Sequence, residues 1–183
     1  MQIKAQLMDE RDVERTLQRL THEILEKNCG TDNMVIIGIR NRGDHLARRI
    51  VGMIDRLDEG RVDLGLLDIT LYRDDFSQMT ESPVVQGSEI DFDLEKKKVV
   101  LVDDVLYTGR TIRAALDAIM DLGRPAMIQL AVLIDRGHRE LPIKADYVGK
   151  NVPTAAGEEV QVMLKEIDGE DKVVMLEKKK NKS

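Results

Sequence analysis

The amino-acid sequence predicts an α/β fold in which a twisted parallel sheet is flanked by helices. Apolar runs with strand character alternate along the chain with segments of helical periodicity, an order typical of parallel-sheet proteins. Three of these runs, at 34–39, 99–102 and 127–134, carry no charged residue, as expected of strands covered on both faces. With 183 residues, of which 42% are hydrophobic and 34% charged, the chain has the size and composition of one globular domain.

The first half of the chain is predicted to form two helices and two strands. Asp9 is a suitable N-cap for a helix that runs to about Asn28, and this helix carries an apolar stripe at Val13, Leu17, Leu20 and Ile24. A strand follows at Met34–Ile39. The second helix has its own apolar stripe, which consists of Leu46, Ile50, Ile54 and Leu57. The second strand spans Val62–Tyr72.

The second half continues the alternation. The strand that begins at Val99 leads into a helix that ends at Gly123, and another strand occupies 127–134. One more strand is predicted where apolar residues alternate with polar ones, at Val160, Val162 and Leu164. The sequence therefore supplies enough strands for a parallel sheet and enough helices to cover it.

Composition excludes several classes of function. The net charge of −6 opposes indiscriminate nucleic-acid binding over the whole surface, so any RNA contact requires a local basic patch. No run approaches the roughly eighteen apolar residues of a membrane span, and the first twelve residues lack the apolar core of a signal peptide. A single cysteine, Cys29, rules out an internal disulfide and fits a reducing compartment. We therefore expect a cytoplasmic protein with no membrane partner.

The most informative segment is the string VVLVDDVLYTGRT at 99–111. Four apolar β-formers end in Asp103 and Asp104, and a short loop at 108–111 then leads into a helix. The carboxyl end of a buried parallel strand is where open α/β sheets bind their ligands. There the two carboxylates would accept hydrogen bonds from the paired hydroxyls of a sugar. The loop would offer hydroxyls and backbone N–H groups to a monophosphate.

An aspartate pair also occurs in two settings that fit this chain less well. In phosphoacceptor receiver domains such a pair lies near the first strand and holds a metal, whereas here about a hundred residues precede it. Helix capping would need neither two carboxylates nor a phosphate loop. A sugar phosphate is therefore the class of ligand that the segment favours.

This string resembles the 5-phosphoribosyl 1-diphosphate (PRPP) motif of type I phosphoribosyltransferases. With its LYTGRT ending it is most similar to the family of bifunctional pyrimidine-operon regulators and uracil phosphoribosyltransferases, and the resemblance covers nearly the whole chain. It implies one domain over 1–183, with a lid loop at about 73–93 and a small hood from about 135–176. The implied activity is transfer of the phosphoribosyl group from PRPP to uracil, which yields UMP and diphosphate. The implied second role is UMP-dependent binding of pyrimidine-operon messenger RNA, which attenuates transcription.

The resemblance also implies the substrate contacts. Asp103 and Asp104 are expected to be catalytic, and Arg40 and Asn41, with Arg42 beside them, match the diphosphate loop of the same enzymes. PRPP and UMP are expected to bind along the whole motif: Val99, Val100, Leu101, Val102, Asp103, Asp104, Val105, Leu106, Tyr107, Thr108, Gly109, Arg110 and Thr111.

Three further assignments concern the lid and the hood. Arg73 is the natural cation of a lid that closes over the diphosphate, and it is the third expected catalytic residue. Arg136 matches a basic residue that faces the exocyclic oxygen of the base, and Val160 is predicted to lie under the ring. The resemblance also implies a homodimer, which in this family can assemble into a higher homo-oligomer.

A basic stripe on the first helix is a separate pattern. Arg11, Arg15, Arg19 and His22 lie within about a quarter-turn of one another, opposite the apolar stripe. Solvated helix faces are commonly charged, but a basic stripe is less expected on an acidic protein. In the resembling family the RNA surface would correspond to six residues: Arg19, His22, Lys27, Arg139, Lys144 and Lys150.

The implied reaction needs no covalent nucleophile, so catalysis must consist of alignment and stabilisation of the leaving diphosphate. Mg²⁺ is the expected cofactor, bound mainly through substrate oxygens, with Asp103 and Asp104 as its protein contacts. Two alternatives stay open: a salvage phosphoribosyltransferase for uracil or a purine without an RNA role, and an RNA regulator with residual catalysis. Tyr147 is the aromatic candidate in the hood for stacking on a purine.

Overall fold

The computed structural model describes residues 1–57, 60–72 and 87–177. Over these residues the chain forms eight strands and four helices, in the order β1 Gln2–Met8, α1 Glu10–Asn28, β2 Met34–Ile39, α2 Gly43–Arg56, β3 Asp63–Leu67, β4 Lys98–Leu106, α3 Arg110–Leu122, β5 Met127–Asp135, β6 Tyr147–Asn151, β7 Glu158–Met163, α4 Lys165–Asp168 and β8 Lys172–Glu177. Within the same ranges, none of the helices combines the length and the apolar character needed to cross a bilayer.

Five strands form a parallel sheet in the order β3-β2-β4-β5-β6. β4 is its central strand, and alternate side chains of β4 enter two different cores. Val99 and Leu101 pack on the α3 side, whereas Val100 and Val102 pack on the side of α1 and α2. This arrangement confirms the predicted class, a parallel sheet flanked by helices. It also explains why residues 99–102 are all apolar, since both faces of the strand are covered.

The helices begin and end close to where the sequence predicts. The carboxylate of Asp9 accepts a hydrogen bond from the amide of Asp12 at 2.8 Å, and the Asp12 carboxylate accepts one from the amide of Asp9 at 3.2 Å. This capping box starts α1, which ends at Asn28 as expected. At the start of α2, a Cβ added to Gly43 would lie 2.4 Å from the carbonyl oxygen of Val102. Only glycine therefore lets the first turn of α2 touch β4.

A second sheet is antiparallel and has three strands in the order β1-β8-β7. It packs on the α1 side of the parallel sheet through Met8, Val162 and Val173. The N-terminal strand β1 thereby joins two strands of the range predicted to form the hood. β6 lies in that range too, but it is an edge strand of the parallel sheet. Hereafter the hood is the three-stranded sheet together with α4.

Two local expectations were wrong. Leu57 is 41% exposed, because α2 has ended before it and its side chain is not on the buried stripe. The strand predicted over Val62–Tyr72 stops at Leu67. The carboxylate of Asp68 accepts hydrogen bonds from the amide and the hydroxyl of Thr70, at 2.9 and 2.6 Å, and turns the chain into a short 3-10 helix.

Candidate active site

Two adjacent carboxylates stand where β4 reaches the carboxyl edge of the parallel sheet. Asp103 is buried, and its Oδ1 accepts a hydrogen bond from the Asp104 amide at 2.9 Å. Asp104 is half-buried, and its Oδ1 accepts one from the Val105 amide at 2.8 Å. Burial, followed by the charge of Asp104, raises the pKa of Asp103 well above its ordinary range. Burial also raises the pKa of Asp104, although the Arg42 guanidinium opposes this shift. The pair is a desolvated acceptor site, suited to hydroxyl donors or to a cation.

The loop after β4 leads directly into the N-terminus of α3. Gly109 has a φ of 93°, a left-handed conformation that glycine adopts without strain. The Thr108 hydroxyl accepts a hydrogen bond from the Arg110 amide at 3.3 Å, and the first turn of α3 includes Thr111. Backbone N–H groups at a helix N-terminus and two threonine hydroxyls together suit an anionic phosphate.

The loop between β2 and α2 lies beside these groups, because Gly43 fixes α2 against β4. It contains a cis peptide bond between Arg40 and Asn41. Arg40 Nη2 donates a hydrogen bond to Glu89 Oε1 at 2.5 Å. Within the described residues, the Nε atoms of Arg40 and Arg42 are buried and have no hydrogen-bond partner. Both guanidinium groups therefore keep an unused donor at this loop.

Arg42 also connects this loop to the hood. Its Nη2 lies 3.1 and 3.3 Å from the two carboxylate oxygens of Asp168, the last residue of α4. Asp168 Oδ2 accepts a further hydrogen bond from the Leu164 amide at 2.9 Å. Beside this pair, Arg49 of α2 contacts the carboxylates of Glu166 and Asp171. The position of Arg42 next to Asp104 is thus held by a carboxylate of the hood.

A cleft of about 470 Å³ opens between the hood and the loop after β5. Arg136 is buried in its wall, where Nη2 donates to the Glu158 carbonyl at 2.6 Å and Nε to the Thr154 hydroxyl at 3.3 Å. The guanidinium carbon of Arg136 lies 4.0 Å from the centre of the Tyr107 ring. His138 packs edge-on against the same ring, and its Nε2 is 2.6 Å from the Thr154 carbonyl oxygen. The volume of the cleft and its lining of charged, aromatic and apolar residues suit a nucleobase.

The structure brings most of the predicted substrate residues to one edge of the sheet, because β2, β4 and β5 are neighbouring parallel strands. Other predicted residues lie elsewhere. Four are fully buried in β4 and can only position the aspartates: Val99, Val100, Leu101 and Val102. Leu106 is also buried, and Val160 is 7% exposed in the core on β7 and is not among the residues that line the cleft. Arg73 and residues 73–86 of the predicted lid lie outside the described residues.

The aromatic residue of the cleft is Tyr107 and not Tyr147. Tyr147 is 2% exposed, and its hydroxyl donates to Gln129 Oε1 at 2.9 Å and accepts from Asn28 Nδ2 at 3.1 Å. The suggestion that Tyr147 stacks on a purine was therefore wrong. His138 was missed as a lining residue, and its only signal in the sequence was its place beside a glycine after a buried strand.

The carboxylate pair also fits the cation that the resemblance implies. Mg²⁺ prefers oxygen ligands and keeps several of its waters, so it needs hard donors close to the substrate oxygens. Asp103 and Asp104 offer such donors, and the upward pKa shift of each marks negative charge that is poorly compensated within the protein. These two residues could therefore contact a cation held mainly by substrate.

Five of the six predicted RNA residues lie along α1, β6 and the segment that leads into β6. Lys27 Nζ donates to Asp146 Oδ1 at 3.1 Å, and Lys150 Nζ donates to the Leu7 carbonyl at 2.9 Å. Arg19 donates to the carbonyl of Gly149 and to the carboxylate of Glu23, both at 2.5 Å. The exposed members of this set, called here the basic surface, are Arg19, His22, Lys27, Lys144 and Lys150.

Arg139 is different, because its guanidinium is engaged inside the protein. Nε donates to the Ile143 carbonyl at 3.0 Å, Nη1 donates to the Tyr107 carbonyl at 2.8 Å, and Nη2 pairs with the Asp135 carboxylate. Although burial acts in the opposite direction, this hydrogen bond lowers the pKa of Asp135. The RNA contact expected of Arg139 stays a prediction, and it would have to compete with these bonds.

Comparison with known proteins relates this chain to a family. The model of the phosphoribosyl transferase domain family matches residues 4–167. A bifunctional protein PyrR from Pelotomaculum thermopropionicum is 62% identical over 174 residues, which cover 95% of this chain and 96% of that protein. Proteins of the same description from Clostridioides difficile and Bacillus cereus are 59% and 54% identical, over 95% and 97% of this chain and 98% and 100% of their own lengths.

Solved structures agree on the fold. A hypoxanthine phosphoribosyltransferase from Staphylococcus aureus superposes with a TM-score of 0.69 at 19% identity, covering 94% of this chain and 92% of that one. The hypoxanthine phosphoribosyltransferase of Trypanosoma cruzi gives a TM-score of 0.70 at 19% identity, covering 96% and 97%. At such identities the likeness concerns the fold alone, and it confirms the predicted type I phosphoribosyltransferase architecture.

Proposed function

This chain belongs to the PyrR family of phosphoribosyltransferases, and from that premise we propose that it makes UMP from uracil and PRPP and regulates pyrimidine genes through UMP-dependent binding of their messenger RNA. The observation that carries the enzymatic part is the juxtaposition at the end of β4. There the buried pair Asp103 and Asp104 adjoins the loop at 108–111 and stands within electrostatic reach of Arg42.

Different residues of the site align different parts of the substrates. Asp103 and Asp104 accept hydrogen bonds from the ribose hydroxyls, and the 108–111 loop with the N-terminus of α3 holds the 5′-phosphate. In the reaction, the uracil ring nitrogen forms a bond to the anomeric carbon as the bond from that carbon to diphosphate breaks. The ring nitrogen then gives up its proton. This requires alignment of the two substrates and no covalent intermediate.

The leaving group is the place where charge develops. Arg40, Asn41 and Arg42 surround the diphosphate, and Arg73 is predicted to act on the same group. Asp103 and Asp104 would be the protein contacts of a Mg²⁺ ion bound together with the substrate, and that ion would supply neutralisation of the charge on the diphosphate. Arg136, buried in the wall of the cleft, places a positive charge near the exocyclic oxygen of the base. Val160 lies in the core behind this wall, so the effect on the ring predicted for it would be indirect.

The regulatory part uses the basic surface. On a protein of net charge −6, five cationic or titratable side chains along α1, β6 and the preceding segment form a local patch that can neutralise RNA phosphates. UMP is the product of the reaction, so its occupancy of the nucleotide site reports pyrimidine supply. The protein acts in the cytoplasm, where the messenger is made, and as a homodimer or a higher homo-oligomer.

One pair of experiments tests both parts. Initial rates with PRPP and Mg²⁺ are measured with uracil and, as the matched alternative base, with hypoxanthine. We expect UMP from uracil and far slower reaction of hypoxanthine, and the reverse order would replace the assignment with purine salvage. Filter binding with pyrimidine-operon leader RNA is then titrated with and without UMP. Absence of sub-micromolar, UMP-sensitive binding at moderate salt would leave a salvage enzyme without an RNA role.

A further inference from the structure

One short segment lies between the nucleotide site and the basic surface. This segment, residues 139–143 and called here the strap, follows the loop after β5 and ends one residue before Lys144. Its first part contacts the loop after β4 at several points. The amides of Glu140 and Leu141 donate to the Thr108 carbonyl at 2.9 and 3.2 Å, and the Glu140 carboxylate accepts from Arg110 Nε at 2.6 Å. The strap is therefore fastened to the loop proposed to hold the UMP phosphate.

The side chain of Arg139 makes the hydrogen bonds that hold the first residue of the strap in place. Its three nitrogen atoms donate to the carbonyls of Tyr107 and Ile143 and to the Asp135 carboxylate. The side chain is only 23% exposed. A contact between Arg139 and an RNA phosphate would have to break its bonds to the half-buried Ile143 carbonyl and Asp135 carboxylate, which are costly to leave unpaired. The geometry favours a role for this residue inside the protein.

The far end of the strap reaches the basic surface within a few residues. Lys144 follows it directly, and the Asp146 carboxylate is the partner of Lys27. The same carboxylate accepts from the Leu130 amide at 2.9 Å, which fixes the start of β6 to β5. On β6, the carbonyl of Gly149 accepts from Arg19. Residues proposed to contact RNA thus flank a segment whose position depends on the phosphate loop.

We propose that the strap transmits nucleotide occupancy to the basic surface, and that Arg139 is a positioning residue for this coupling and not an RNA ligand. The proposal rests on the proposed function. A phosphate bound by the 108–111 loop orders that loop, the loop orders the strap through Arg139 and Glu140, and the strap sets the positions of Lys144 and Lys27. RNA affinity then rises with UMP, and by reciprocity UMP affinity rises with RNA by the same factor.

The test is a thermodynamic cycle. RNA affinity is measured with and without saturating UMP, and UMP affinity is measured by calorimetry without RNA, for wild type, Arg139→Ala and Arg139→Lys. Coupling between sites is typically about 5–150-fold, and we expect both variants to reduce that factor to about twofold or less. We also expect weaker UMP binding and unchanged RNA affinity without UMP. Arg139→Lys keeps a charge but cannot make three separate directed bonds, so it tests geometry if Arg139→Ala folds poorly.

Two control variants separate the possible roles. Lys144→Ala, a direct phosphate contact, should weaken RNA binding equally with and without UMP and keep the coupling factor of wild type. Arg124→Ala, exposed just beyond the C-terminal end of α3, should change none of these affinities. If the Arg139 variants behave like Lys144→Ala, with intact coupling and normal UMP affinity, the strap proposal is overturned while the proposed function stands. If wild type shows no UMP-sensitive RNA binding, the regulatory function fails instead.

Discussion

The carboxyl edge of the parallel sheet and the basic surface differ in how their charges are held. At the sheet edge, Asp103 and Asp104 stand on a strand whose residues 99–102 are buried, and Arg42 is fixed between α2 and the hood. On the basic surface, the side chains of Arg19 and Lys27 are about half exposed, and each is paired with a single carboxylate. The first region concentrates strong interactions in a desolvated place, while the second spreads weak ones over an exposed helix.

This difference sets the size of the effect that one substitution can have. A charge-assisted bond in a desolvated site is about twice as strong as a neutral hydrogen bond, and its loss leaves the partner unpaired. An exposed ion pair contributes about 0–1 kcal/mol, and salt screens it. Substitutions at the sheet edge should therefore cause large losses of catalytic activity. Substitutions on the basic surface should act in small and additive steps on RNA affinity.

The largest effect is expected from the aspartate pair. Asp103→Asn or Asp104→Asn removes a charged acceptor from the ribose site and a contact to the metal. We expect a loss of roughly 2–4 kcal/mol of transition-state stabilisation, on the order of a hundredfold or more in kcat/KM. Initial-rate kinetics with uracil and PRPP measure it, and circular dichroism checks the fold. A kcat/KM close to wild type in both variants would remove these residues from the site.

A smaller effect is expected at the link between the diphosphate loop and the hood. Arg42→Gln should raise KM for PRPP and lower kcat, and Asp168→Asn should act in the same direction because Asp168 positions Arg42. The double variant should resemble Arg42→Gln alone, with an interaction energy of about 1–2 kcal/mol.

Glu166→Gln is the matched control for this link, since it removes a partner of Arg49 and none of Arg42. Its KM for PRPP should stay near that of wild type. Fully additive effects of Arg42→Gln and Asp168→Asn would show that the two side chains act independently, and the hood would then have no part in placing Arg42.

The same aspartate pair should cost stability. Because burial raises the pKa of Asp103 in the folded state, the folded protein binds this proton more tightly than the unfolded chain does. The carboxylate is therefore destabilising at neutral pH, and stability is lost as pH rises from the ordinary carboxyl pKa through the raised one. Asp103→Asn should increase Tm at pH 7 while it lowers kcat/KM, and the gain in Tm should shrink as pH falls through the raised pKa.

Calorimetry of the ligand-free protein at several pH values measures this gain. Asp55→Asn, an exposed carboxyl at the end of α2, is the control and should change Tm little. An Asp103→Asn variant that is no more stable than wild type at pH 7 would mean that the buried charge is already compensated.

The contrast between the two regions also explains what the sequence could predict. β2, β5, α1 and α3 were predicted within a residue or two, because each has a one-dimensional signal such as an apolar run or a cap. β1 was missed because its residues are mostly exposed and its partner is β8, at the other end of the chain. β6 was missed because it is short and contains Gly149, where a Cβ would lie 2.3 Å from the carbonyl oxygen of Leu133.

The residues of the functional site differ in the same way in how well the sequence predicts them. Asp103, Asp104 and the 108–111 loop are contiguous in sequence, so their chemistry could be predicted together. The cleft could not be, because Tyr107, His138 and Thr154 meet only in three dimensions. The internal role of Arg139 was hidden for the same reason, since its acceptors come from three different places in the chain: the adjacent Leu106 and Tyr107, Asp135, and Ile143.

The smallest single effects are expected on the basic surface, where two substitutions of opposite sign make the sharpest comparison. Arg19→Ala removes a cation and should weaken leader-RNA binding on the order of tenfold or less, with the slope of log K against log salt flattened by about 0.7–0.9. Glu23→Gln removes the carboxylate that pairs with Arg19 and should strengthen RNA binding modestly.

Filter binding across a salt series measures both effects on RNA affinity. Uracil transfer monitors the sheet edge, which neither change touches. If Arg19→Ala and Glu23→Gln shift RNA affinity in the same direction, or not at all, the charge of this helix face does not contribute to RNA binding.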